Sequence, residues 1–148
     1  MTLKERINED MKSAMRARQA ERLSAIRMLM AAIKQREVDE RIVADDPLIV
    51  GITDKLIKQR KDSLTQFEQA GRQDLADRER AEIETLSVYL PQQADAAEIE
   101  AAIEETLAHV GATGPQDMGK VMAVLKPKLA GRTDLSAVSA QVKARLNR

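Results

Sequence analysis

Cysteine is absent from the chain, tryptophan is absent, and only two aromatic residues occur, Phe67 and Tyr89. Without cysteine there are no disulfides, thiolate nucleophiles or cysteine-based zinc sites. β-Sandwiches and barrels lean on aromatic and β-branched side chains, so the scarcity of aromatics argues against both. No segment approaches the roughly 20 apolar residues that span a bilayer. The start, Met1-Thr2-Leu3-Lys4-Glu5, lacks the apolar run of a secretory signal. These absences lead to the expectation of a soluble, cytoplasmic protein with no membrane partner. No Gly-rich nucleotide loop, nucleophile elbow or metal-ligand spacing is found, so no cofactor, metal or catalytic residue is assigned.

What remains is rich in Ala, Leu, Glu, Lys, Arg, Gln and Met, all good helix formers. Charged residues make up 32% of the 148, with both signs interspersed, as expected of solvated helix faces around aliphatic seams. The formal net charge is zero but unevenly spread. Residues 1–38 hold nine bases against five acids, and residues 39–94 eight against twelve. Residues 95–114 hold five acids and no base; residues 115–148 hold seven bases and two acids. Such a basic end can steer an anionic partner locally in a neutral chain.

Apolar spacing predicts an all-α fold. Leu3, Ile7, Met11, Ala14 and Met15 mark a first helix, and Leu23, Ile26, Leu29, Met30 and Ile33 a second, with a break near Arg18-Gln19-Ala20. Residues 38–46 are acidic and lose the period. Asp46-Pro47 reads as N-cap and first helical residue of a third helix ending near Gly71. Asp74 is the expected cap of a fourth helix, which stops before Pro91. Residues 1–90 therefore form an N-terminal bundle or pair of hairpins, with 91–95 as a linker. Residues 96–148 form a C-terminal lobe of three helices. Asp95 and Glu98 have capping-box spacing. Ile99, Ile103, Leu107 and Val110 line the fifth helix, which Gly111 ends. Met118, Val121, Met122 and Leu125 line the sixth, which Lys126-Pro127-Lys128 is expected to disturb or end. Leu135, Val138, Val142 and Leu146 line the seventh, capped by Asp134. The seven methionines read as core filling.

The basic residues of the last two helices are the candidate site. Gly119, in the first turn of its helix, implies close backbone approach by another helix or by a ligand. Lys120 beside it adds a charge to a helix N-terminus, where anions bind. Lys126, Lys128 and Arg132 flank the Pro127 and Gly131 turns, and Lys143 and Arg145 extend the group. Together they suit a phosphate backbone, which gives affinity without base selectivity. A solvated basic face is the plainer alternative. No aromatic lies in this lobe to stack a base, so an RNA ligand would be held by shape and phosphates. Lys58, Arg60, Lys61 and Asp62 form a charged run on the third helix, read as surface pairing or a partner-binding face. His109, the one histidine, has no second ligand type to make it a metal or catalytic residue.

Several segments resemble the YqeY-like family. They are Leu23-Ser24-Ala25-Ile26-Arg27-Met28-Leu29-Met30, Ile57-Lys58-Gln59-Arg60-Lys61-Asp62-Ser63 with Gln66 to Arg72, and the junction Tyr89-Leu90-Pro91. Met118-Gly119-Lys120-Val121-Met122, Lys126-Pro127-Lys128 and Gly131-Arg132 complete the set. The resemblance implies two helical lobes, the second similar to the tail domain of the B subunit of the tRNA-dependent amidotransferase. In that larger enzyme the tail contacts tRNA and amidation occurs elsewhere. It thus implies a tRNA-associated accessory protein without its own catalytic centre. Two alternatives stand beside it. One is a helical protein-interaction module docking on a translation or amidotransferase complex. The other is a component of carbon–nitrogen ligase activity with glutamine as amido donor.

Overall fold

The computed structural model describes residues 1–148 and is all-α, with seven α-helices and no strand. They are α1 (Leu3–Arg16), α2 (Ala20–Glu40), α3 (Asp46–Gln69), α4 (Gln73–Ser87), α5 (Ala96–Val110), α6 (Met118–Leu129) and α7 (Leu135–Leu146), with a single 3-10 turn at Pro115–Asp117 before α6. The chain divides into two compact units, Met1–Pro91 and Gln92–Arg148.

In the first unit, α1 and α2 form one hairpin and α3 and α4 another. Thr2 starts α1 with a reciprocal capping box: its hydroxyl accepts from the Glu5 N–H, and the Glu5 carboxylate accepts from the Thr2 N–H. Arg18, at φ 55°, turns the chain between α1 and α2. Gly71, at φ 71°, closes α3, and the Arg72 N–H reaches back to the Phe67 carbonyl. The aliphatic stripes meet in one core of Ile7, Ile26, Leu29, Ile49, Ile57 and Leu86, each at most 3% exposed. Burial of each such side chain contributes about 1.5–3 kcal/mol. Tyr89 donates to the Asp10 carboxylate at 2.7 Å, and the Arg6 guanidinium lies 5.3 Å from its ring centre. Burial first, and the Asp10 carboxylate second, push the phenol far above its ordinary pKa, so it remains a neutral donor.

Several boundaries differ from the sequence reading. α2 continues through residues 38–40, where the apolar period has already stopped, because its last turns are tied down by charge. Lys4 meets Glu37 at 2.5 Å and Glu37 accepts the Ala44 N–H at 2.8 Å. These contacts hold the Glu37 carboxyl below the usual range, the Lys4 hydrogen bond being the larger cause. Asp45, not Asp46, caps α3, since its carboxylate is the one that reaches the Leu48 N–H. Asp46 instead accepts from the Leu3 N–H at the start of α1. Asp74 does not cap α4, which starts earlier, at Gln73; its carboxylate pairs with Arg72. Met1 and Met15 are 89% and 50% exposed, so not every methionine fills a core.

The second unit packs α5, α6 and α7 around Ile103, Val121, Leu125, Leu129, Val138 and Val142. Asp95 caps α5 by accepting from the Glu98 N–H, while the Glu98 carboxylate pairs with Arg132 instead of closing a capping box. Pro127 does not end α6, which runs on to Leu129. Three of its residues anchor that last turn in the core or next to it: Leu125, Leu129 and, one turn earlier, Met122. The stretch expected as a linker is fastened to the Gly131–Arg132 turn. The Ala94 N–H donates to the Arg132 carbonyl at 2.8 Å, and the Gln93 side chain donates to the Gly131 carbonyl at 2.7 Å. Arg132 in turn donates to the Gln92 carbonyl at 2.8 Å.

Candidate nucleic-acid interface

The second unit is electrically divided. α5 carries the acids and α6–α7 the bases. Two of the unit's three arginines join the halves: Arg132 meets Glu98 at 2.5 Å and Arg145 meets Glu104 at 2.9 Å. Arg132 also holds the Gln92 carbonyl, so it is a fastening of the fold more than a free cation. Lys126, Lys128 and Lys143 are exposed and make no ion pair. Lys120 is exposed too, close enough to Asp117 to help hold that carboxyl below its ordinary range. The larger cause there is the Thr113 N–H, which Asp117 accepts at 2.8 Å.

The helix period separates the candidates. On α6, with about 100° per residue, Gly119 and Lys126 fall on one flank of the buried stripe. Lys128 falls on the other flank, and Lys120 points away from the core. Lys143 sits on the flank of α7 shared with Ser136 and Ser139. A shallow groove is lined by Gly119, Met122 and Lys126 of α6 and by Leu135, Ser136 and Ser139 of α7. The first turns of two helices thus border one depression, with a lysine, two hydroxyls and a glycine around it.

The reading of Gly119 as the point of a tight helix crossing does not hold. A Cβ built there would meet nothing within 4 Å. A glycine in the first turn of α6 costs the helix about 1 kcal/mol relative to alanine, and no packing contact in the fold requires it. The electropositive N-terminal end of α7 is partly served already. The Asp134 carboxylate accepts from the Ser136 N–H at 3.0 Å. The polar groups left open to this groove are Lys126, the two hydroxyls and the exposed Gly119 backbone. Ser136 and Ser139 were not singled out from sequence. Their i, i+3 spacing beside Leu135 was the available signal, and it gains meaning only once α6 lies alongside.

The charged run on α3 is not a uniform surface. Lys61 and Asp62 are exposed, whereas Arg60 turns into the first unit. Its guanidinium lies 3.3 Å from Glu82 and 3.9 Å from Glu79, both on α4, and touches the Met28 sulfur of α2. Burial, and then the neighbouring Glu82 charge, raise the Glu79 carboxyl above the usual range. His109 is exposed in the last turn of α5, and no group of three or more His, Asp or Glu side chains converges anywhere in the chain.

Two helical units and these motifs define a class, small helical proteins of the YqeY type. The chain belongs to the YqeY-like protein family, whose pattern matches residues 4–146. It is 37% identical over 112 residues to the Altered inheritance of mitochondria protein 41, mitochondrial, of Lachancea thermotolerans, covering 74% of this chain and 60% of that protein. The protein of the same name from Vanderwaltozyma polyspora is 34% identical over 68% of this chain and 56% of its own length. That from Kluyveromyces lactis is 29% identical over 93% and 72%. The chain thus spans little more than half the length of the first two relatives. All three are named as mitochondrial proteins, which overturns the expectation of a cytoplasmic location. That expectation rested on lack of an apolar leader and of cysteine. Mitochondrial targeting segments are amphipathic and Arg-rich, so neither feature discriminates.

Proposed function

We propose that this chain is a tRNA-directed accessory protein whose second unit holds the phosphate backbone of a folded RNA through α6 and α7. The observation that carries the reading is the division of labour among the bases. Arg132 and Arg145 are spent on α5, while Lys126, Lys128 and Lys143 face solvent without a carboxylate. The groove of Gly119, Lys126, Ser136 and Ser139 supplies a place for one phosphate at close range. With both aromatic residues in the first unit, base stacking contributes nothing here, and recognition is by charge and shape. The plainer role of these lysines is to complement helix C-termini, since Lys126 and Lys128 lie in the last turn of α6 and Lys143 in that of α7. That role predicts small effects on stability and none on RNA.

The two roles separate by substitution. Binding to total tRNA in a filter assay is expected to fall with salt at a log–log slope of roughly −3 to −4, for about four phosphate contacts. Lys126→Glu, inside the groove, is expected to cost more affinity than Lys120→Glu, which points away and already faces Asp117. The combined charge reversal of Lys126, Lys128 and Lys143 should flatten the salt slope by about three, with helicity unchanged in circular dichroism. A slope that does not move would remove these residues from any RNA contact.

A further inference from the structure

The first unit carries a second surface unrelated to the basic lobe. A groove runs between α1 and α2, floored by Ile7 and Ile33, which are 1% and 3% exposed, and walled by Met30 and Ala31. It continues past Lys4 and Lys34 onto Val38, Ile42 and Val43. These three are 60%, 43% and 81% exposed, an apolar cluster at the end of α2 that no other part of the unit covers. Single exposed aliphatics are ordinary, but a contiguous set continuous with an apolar groove marks an interaction surface.

The cluster is held open by the backbone. Glu37 accepts the Ala44 N–H, the Ile42 N–H donates to the Glu37 carbonyl at 3.1 Å, and Arg41 sits in the left-handed region at φ 53°. Asp45 caps the next helix immediately beyond. The loop presenting Ile42 and Val43 is therefore fixed at both ends. The charges beside it lean positive: of the two carboxylates on the groove, Glu37 is occupied by Lys4 and the Ala44 N–H and Glu5 accepts the Thr2 N–H, whereas Arg41 and Lys34, both exposed, have no hydrogen-bonded carboxylate, Lys34 acting on Glu37 only through charge.

We infer that the α1–α2 groove receives an amphipathic helix of a protein partner, apolar on one face and edged with carboxylates that meet Lys34 and Arg41. A groove between two helices accepts a third through residues at i, i+3, i+4 and i+7. Phosphates have no match in its apolar floor. A bilayer surface would reach Val38 and Val43 but not the recessed Ile7 and Ile33.

The test uses the full chain labelled with 15N and two synthetic helical peptides. Both carry leucines at i, i+3, i+4 and i+7; one is flanked by glutamates, the other by lysines. The acidic peptide is expected to shift the amides of Ala31, Lys34, Val38 and Val43 saturably, and to bind at least about tenfold tighter than the basic one. Lys34→Glu with Arg41→Glu should reverse that preference, and Val38→Asp should abolish binding while circular dichroism stays unchanged. Several results would overturn the inference. They are equal binding of the two peptides, shifts confined to other residues, or no binding. Tighter association with phosphatidylcholine vesicles containing phosphatidylglycerol would also overturn it, as would concentration-dependent shifts of the same amides without peptide, which would make the occupant a membrane or a second copy.

Discussion

Arg60→Met is expected to lower the stability of the first unit by about 3 kcal/mol, the lower end of the range for breaking a buried ion pair. The side chains of Arg60, Glu79 and Glu82 are 26%, 12% and 21% exposed, so this cluster is neither dry nor freely hydrated. Arg60 Nε and one oxygen of each glutamate are buried with no hydrogen bond, which leaves charge attraction as the main force between them. Removal of the guanidinium leaves two carboxylates facing each other on α4. Combining Arg60→Met with Glu79→Gln and Glu82→Gln should recover most of the loss, because replacing all the partners removes the uncompensated charge. Denaturant unfolding of the single and triple variants measures both effects. A loss below about 1 kcal/mol for Arg60→Met would mean that the carboxylates keep their water and the cluster behaves as a surface pair.

The same cluster has a pH signature. The Glu79 carboxyl is raised in the folded state, so its ionised form opposes folding. That penalty is absent below the unfolded carboxylate pKa and is fully present once pH exceeds the folded one. Glu79→Gln should therefore gain on the parent at neutral pH, and the gain should shrink as pH falls into the carboxylate range.

Leu125→Ala is expected to unfold the second unit while the first stays intact. Leu125 is fully buried at the centre of a core that has no aromatic side chain. Truncating a leucine in such a place costs about 2–5 kcal/mol. A unit confined to residues 92–148 has only a few kcal/mol to lose, because so short a chain buries a small share of its surface. Native-state hydrogen exchange should show protection lost from α5 to α7 and kept in α1 to α4. Simultaneous loss from all seven helices would show that the units fold as one.

The helices themselves were legible because aliphatic spacing is a local signal. Leu23, Ile26, Leu29 and Ile33 announce α2 without reference to anything else. Its last turn was not legible, since what carries α2 through residues 38–40 is a charge contact from Lys4, 33 positions away. Asp45 and Asp46 look alike in sequence, and only the path of the chain decides which carboxylate meets the Leu48 N–H. Pro127 shows the reverse: a strong local stop signal yields to the burial of Leu125 and Leu129. For the candidate site, sequence located the lysines but could not divide them from the arginines. Arg132 and Arg145 find Glu98 and Glu104 at separations of 34 and 41 residues. Arg60 sits in a run of surface-like charges, and its partners become visible only when α4 lies against α3. At Gly119 the expected tight helix crossing is absent, since a Cβ there would meet nothing within 4 Å.

Crosslinking the protein to RNA in cells, followed by sequencing of the recovered RNA, tests the central claim most directly. Enrichment of tRNA, with crosslinked peptides from residues 118–145 of the second unit, is the predicted result. Recovery no greater than that of an unrelated helical protein, or crosslinks confined to the first unit, would contradict it and return the lysines of α6 and α7 to ordinary solvated surface.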